Sequence, residues 1–124
     1  MLINIGEIIY KKSGKRLPRW IIRPLEKLIH QRELNEIWAT GKDLSAIEFL
    51  RHTLNYLEVS YEVHYTTPLP EEERYIFASN HPFGGMDGMM LIDALYRRWG
   101  DSGAIVNDLL MNVKPLAPLF IAVN

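Results

Sequence analysis

Tyr75-Ile76-Phe77-Ala78-Ser79-Asn80-His81-Pro82-Phe83-Gly84-Gly85-Met86-Asp87-Gly88 is the stretch on which the reading of this chain turns. Residues 75–78 form a short apolar run with strand character, Pro82 ends strand pairing, and two adjacent glycines let the backbone turn sharply or approach a ligand closely. Met89 to Trp99 then follows a helical pattern closed by Gly100. Ala104-Ile105-Val106 reads as a further strand, and the apolar run Leu116–Asn124 as a buried one. Upstream, Val59, Tyr61, Val63 and Tyr65 alternate with Ser60, Glu62 and His64, the period of a half-buried strand, and residues 66–73 form a proline- and glutamate-rich surface loop. Strand, helix, strand, short helix and strand in succession predict an α/β fold with parallel pairing.

The N-terminal half reads as helical. Leu2, Ile5, Ile8 and Ile9 recur at helical spacing, and Lys11-Lys12-Ser13-Gly14-Lys15 closes that segment with basic residues and a turn. Pro18 suits a first helical position, and the helical pattern runs from there to Thr40, with Leu17, Ile21, Leu25 and Leu28 on one face. Arg16, Arg19, Arg23, Lys27 and His30 form a second stripe, and Trp20 sits at the boundary. Pro24 predicts either a kink or a short turn before a longer helix. Gly41 stops the segment, and Ser45-Ala46-Ile47-Glu48 matches a capping box for a helix burying Ile47, Leu50, Leu54 and Leu57. The expected organisation is therefore N-terminal helices over 1–57, with a possible membrane-contacting basic helix, followed by the first part of an α/β domain, a βαβ sheet with helices packed on it, over 58–124.

Composition bounds the function classes. At 124 residues, 48% hydrophobic and 23% charged, the chain is ordinary globular material and can bury a core. Net charge is −1, but residues 1–32 carry eight Lys/Arg against Glu7 and Glu26, a net +6, leaving a net −7 on the remainder. A basic arm on an acidic body suits an anionic partner. With no cysteine, disulfides, thiolate metal sites and a Cys nucleophile are excluded. Residues 1–10 do not have the pattern of a signal peptide, and no apolar stretch approaches the roughly 18 residues of a membrane span. Ending on its most strand-like segment, the chain is expected to be the front portion of a larger domain.

The chemistry concentrates at the strand-to-helix loop, where open α/β sheets bind ligands. A turn at Gly84-Gly85 can bring Asp87 back toward His81, so that the carboxylate fixes the imidazole tautomer and leaves its other nitrogen as a base. The plainer reading is that Asp87 caps the helix beginning near Gly88 and His81 is a loop histidine satisfied by backbone; spacing alone weighs the two about evenly. His30, His52 and His64 read as solvated surface residues. Ser79 lies too close to His81 in an extended strand to form a nucleophile–base pair. His81, Asp87 and Asp93 match no strong metal-ligand pattern, and the glycine turn lacks the Gly-Lys-Ser/Thr ending of a P-loop.

The block from Tyr75 to Gly88 resembles the first signature of the phospholipid/glycerol acyltransferases, closest to the hemolysin-like bacterial branch that includes lysophosphatidic acid and lyso-aminolipid acyltransferases. The similarity runs on through Asn107-Asp108-Leu109-Leu110 and Lys114-Pro115-Leu116. It implies a His–Asp dyad in which His81 takes the proton of an acceptor hydroxyl attacking an acyl thioester and Asp87 orients His81. Asn80, Phe83, Gly84 and Gly85 are then substrate-binding. The thiol is a good leaving group, so no covalent acyl-enzyme is needed and no cofactor beyond the thioester. The family's usual motif places four residues between His and Asp; here Pro82 to Met86 are five, and the glycine turn is expected to absorb the extra one. The later family blocks, a basic residue after the last strand and a Pro-Glu-Gly-like acceptor block, do not occur before Asn124.

The implied activity is transfer of a fatty acyl group from acyl carrier protein or coenzyme A to the hydroxyl of a lyso-lipid, lysophosphatidic acid or a lyso-aminolipid. Arg16, Arg19, Arg23 and Lys27 suit an anionic leaflet with Trp20 entering the interface, which places the protein in the cytoplasm, peripheral at the inner face of the cell membrane. The alternative is a non-catalytic lipid- or protein-binding fragment. Nucleic-acid binding is disfavoured by the acidic body and the lack of an aromatic-basic motif.

Overall fold

The computed structural model of the chain describes residues 4–28 and 30–123, so Leu2 of the first apolar stripe and Asn124 of the terminal strand lie outside the described residues. The chain divides into two compact units, Met1–Lys42 and Asp43–Asn124.

In the first unit, the Asn4 side chain accepts the Glu7 amide at 3.1 Å and opens α1 (Ile5–Ser13), which ends at Gly14 in the left-handed region beside Lys11 and Lys12. The cap satisfies one of the free amides every helix N-terminus carries, and the lysines oppose the negative end of the dipole. α2 (Arg19–Leu28) begins one residue after Pro18, whose carbonyl accepts the Ile21 and Ile22 amides. It packs on α1 and on α3 (Gln31–Gly41), and Gln31 Oε1 accepts the Ile5 amide at 2.9 Å.

Of the two outcomes expected at Pro24, the short turn before a longer helix does not occur. α2 runs through that proline, and the chain breaks instead at His30, whose backbone is left-handed (φ 52°). A proline removes one hydrogen bond but leaves its neighbours' bonds intact, whereas a left-handed residue redirects the whole chain. His30 therefore sits in a turn, 3.8 Å from Glu33, and not on the basic stripe. Leu28, placed on the apolar face by its spacing, is 74% exposed.

In the second unit the capping box forms as expected. Ser45 accepts the Glu48 amide, Glu48 accepts the Ser45 amide at 2.9 Å, and α4 (Ala46–Tyr56) follows. Hydrogen bonding of the Glu48 carboxylate to the Ser45 side chain first, and then to the Ser45 amide, holds this carboxyl below its ordinary value. α4 buries Phe49, Leu50, Thr53 and Leu54. Ile47 is only half-buried and Leu57 is exposed, so the buried stripe is rotated toward Phe49. α5 (Gly85–Trp99) packs on α4 through Ile92 and ends at a left-handed Gly100.

Two four-residue strands, β1 (Ala104–Asn107) and β2 (Phe120–Val123), pair in parallel with Ala104 opposite Phe120. The crossover between them, residues 108–119, is two 3₁₀ helices, Asp108–Asn112 and Lys114–Leu119, near the minimum of about a dozen residues a parallel connection requires. Leu116 and Leu119 from this crossover are buried, and the second 3₁₀ helix packs on α4. Helices around a parallel strand pair make the unit α/β, as the sequence implied.

Two expected strands are corrected. Residues 59–65 and 75–78 run without ladder partners among the described residues. Their alternation is nevertheless real. Tyr75 and Phe77 pack on Trp99, with ring centroids 5.5 Å away in each case, while Ile76 between them is 98% exposed. Tyr61 turns inward to Asp93, while Glu62 and His64 point outward and pair with each other at 3.3 Å. Period-two patterning reports which side is buried and is silent about which strand supplies the hydrogen bonds.

Candidate active site

The loop before α5 is built by one short turn. The Gly84 amide donates to the His81 carbonyl at 3.0 Å, and Gly84 adopts φ 65°, ψ −122°, a conformation available almost only to glycine. This turn starts α5 at Gly85, four residues earlier than the periodicity from Met89 suggests. Asp87 consequently falls in the first helical turn, where its charge suits the positive end of the dipole, and its Oδ2 accepts the Phe83 amide at 2.8 Å. Asp87 thus braces the turn by reaching back past the helix start. Among the described residues no hydrogen bond joins its carboxylate to the His81 imidazole, which is exposed.

Beside the turn lies an open groove of about 630 Å³. Val63, Leu69, Phe77, Phe83, Met90, Leu91 and Leu95 make it mainly apolar, and Ser79, Asn80 and Asp87 contribute polar groups. Asn80 and Phe83, two of the expected substrate-binding residues, line it; Gly84 and Gly85 form the turn at the start of α5. Phe83, on the groove lining, is 73% exposed. The opposite wall comes from residues 61–69, which the sequence marked only as a strand and loop. An alternating apolar face is the one signal that pointed to this wall.

The most elaborate polar cluster of the unit lies behind that wall. Asp93, 2% exposed, accepts from Arg51 Nε at 2.7 Å, from Arg97 Nε at 2.9 Å and from the Tyr61 hydroxyl at 2.5 Å. Burial acts to raise the Asp93 carboxyl, but the hydrogen bonds from Tyr61, Arg51 and Arg97 together outweigh it and hold the group below the ordinary carboxylate range. Burial and the bond to Asp93 push the Tyr61 phenol up. Asp93 therefore ties α4, α5 and the groove wall together. Among the described residues no group of three or more His, Asp or Glu is placed to hold a metal ion.

Of the other histidines, His64 lines the groove and pairs with Glu62. The His52 ring lies elsewhere, 6.4 Å from Phe49 on α4. In the first unit Arg16, Arg19, Arg23 and Lys27 are all exposed, with the Arg16 guanidinium 5.0 Å over the Tyr10 ring. Trp20 is 75% exposed while Ile21, Ile22 and Leu25 are half-buried, so α2 presents one aromatic and three cations outward, with Arg16 just before it. Among the described residues no helix is long and apolar enough to cross a membrane.

The loop that carries His81 and Asp87 thus leads into α5 beside an apolar groove. Residues 9–124 match the acyltransferase family model, and the chain belongs to that family. It is 38% identical over 127 aligned positions to a lyso-glycine lipid O-acyltransferase of Bacteroides thetaiotaomicron, covering 99% of this chain and 47% of that protein. A lyso-glycine lipid O-acyltransferase of Phocaeicola vulgatus is equally similar, 38% identical, with 99% and 46% covered. The chain thus spans about half the length of these curated relatives. No solved structure matches it.

Proposed function

We propose that the protein is an O-acyltransferase that moves a fatty acyl group from a thioester to the hydroxyl of a lyso-lipid, an aminolipid in preference to lysophosphatidic acid. The observation that carries this reading is the apolar groove lined by Asn80, Phe83 and Asp87 of the loop that bears His81, in a chain matched nearly end to end by two lyso-glycine lipid O-acyltransferases. The groove takes an alkyl chain, and its polar residues stand where the reacting head would lie.

In the reaction, His81 accepts the proton of the acceptor hydroxyl as its oxygen attacks the thioester carbonyl. The carbon–sulfur bond then breaks, and the departing thiolate takes the proton from the imidazolium, leaving an ester and a free thiol. Asp87 spends Oδ2 on the Phe83 amide, and its Oδ1 is the atom to accept from the imidazole and fix its tautomer. Catalytic hydrogen bonds commonly tighten only when substrate is bound. The donor is acyl carrier protein or coenzyme A thioester, and α2 holds the protein at an anionic membrane surface, at the inner face of the cell membrane.

His81→Ala should lower kcat about 10²- to 10⁴-fold, as loss of a general base does. Asp87→Asn keeps an acceptor for the Phe83 amide and loses only the charge at the helix start, worth about 0.3–1 kcal/mol, so it should lower kcat while lowering the melting temperature by no more than a few degrees. Wild-type transfer by His81→Ala would remove the dyad from the mechanism. The engagement of Asp87 by Phe83 favours a second reading, a non-catalytic lipid-binding module; lyso-lipid binding without thioester cleavage would establish it.

A further inference from the structure

We propose that Arg98 is a positioning residue that sets the width of the apolar groove, and through it the length of alkyl chain the groove accepts; this rests on the acyl-transfer reading of the groove. The wall formed by residues 61–69 has no ladder to fix it among the described residues, so side chains must hold it. It is fastened at two places. One is Tyr61, bonded to Asp93. The other is Arg98, near the C-terminal end of α5.

Arg98 makes three contacts toward the wall and the loop beyond it, and a fourth to Trp99 on its own helix. Its Nη2 donates to the Leu69 carbonyl at 2.5 Å, and its guanidinium lies 4.2 Å over the Tyr65 ring and 4.8 Å over Trp99. Its Nε stands 3.8 Å from Glu71 Oε1. Tyr65 and Leu69 line the groove, whereas Arg98 lines only a neighbouring recess of about 410 Å³ that shares Tyr61, Val63 and Tyr65 with it. Arg98 therefore acts through the wall and not on the substrate. A planar guanidinium can stack between two rings and donate edgewise at once, which an ammonium cannot do. Between the two fastenings Val63 and the Glu62–His64 pair are exposed, so releasing Arg98 frees the wall between Tyr61 and Pro70, whose carbonyl still accepts from the Tyr75 hydroxyl at 2.9 Å.

The alkyl chain in the groove belongs either to the acyl donor or to the lyso-lipid. Transfer kinetics on the protein with acyl thioesters of graded chain length, and separately with lyso-lipids of graded chain length, distinguish the two. Binding of alkyl-coenzyme A thioethers and of the same lyso-lipids, measured by calorimetry, provides a readout independent of turnover. Arg98→Ala should leave kcat for the best substrate near wild type, raise its KM about tenfold, and flatten the chain-length profile of whichever substrate occupies the groove. Arg98→Lys should recover part of the discrimination. Should Arg98→Ala fail to fold, Arg98→Gln, which keeps a donor for Leu69 but removes the cation from Tyr65, carries the same test. Unchanged chain-length preference in a folded variant, in both binding and transfer, overturns the proposal. Flattened binding in a protein that transfers no acyl group upholds it and refutes the acyl-transfer reading.

Discussion

Replacing Asp93 with Asn tests what holds the second unit together. The two side chains are nearly isosteric, so packing is preserved and the change falls on the three donors around the carboxylate, Arg51, Arg97 and Tyr61. The Asn oxygen can still accept one bond, but its NH₂ faces a cation that no longer has an acceptor. Breaking a fully buried ion pair costs roughly 3–5 kcal/mol. Here the Arg51 and Arg97 side chains are 34% and 61% exposed and can return to water, which reduces the penalty. We therefore expect a loss of about 2 kcal/mol at neutral pH, a fall in Tm of about 8 °C for a chain of this size.

The pH dependence gives the same test an independent axis. Because the native carboxyl is held below its ordinary value, its contribution is complete above the unfolded value near pH 4 and disappears as pH falls through the lower native value. The stability gap between wild type and Asp93→Asn should accordingly be full at neutral pH and close in acid. Urea unfolding across that range, with Tyr61→Phe to complete a double-mutant cycle, measures both. A gap within about 0.5 kcal/mol at neutral pH, or one that widens in acid, would refute the reasoning.

Ser45→Ala removes the cap of α4 and should cost about 1 kcal/mol, readable as a shifted urea midpoint at unchanged slope. Co-sedimentation should show the protein binding anionic liposomes more tightly than neutral ones. Each of Arg16, Arg19, Arg23 and Lys27 contributes about 1 kcal/mol near such a surface, so reversing two of them to Glu should abolish the difference. Equal binding of wild type to both liposomes would assign α2 no electrostatic role.

Elements whose signals lie close together in the chain were legible in advance. The Ser45–Glu48 box, the Gly100 stop of α5 and strand β1 each follow from a few neighbouring residues. The break at His30 was not, because nothing adjacent marks a histidine for the left-handed region, while Pro24 carried a breaking signal that its helix tolerated. Asp93 was visible as a carboxylate on a helix but not as the junction of α4, α5 and the groove wall, since Arg51 and Tyr61 lie 42 and 32 residues away.

The candidate site divides along the same line. The sequence by itself determined that His81 and Asp87 share one glycine turn between an apolar run and a helix, and that the first 32 residues are basic, because composition and short-range sterics carry that information. Only the tertiary structure decided that Asp87 reaches the Phe83 amide, that residues 61–69 stand opposite α5 as a groove wall, and that Arg98 holds this wall. Alternation records that one side of a segment is buried; which surface buries it is settled by contacts between residues far apart in the chain.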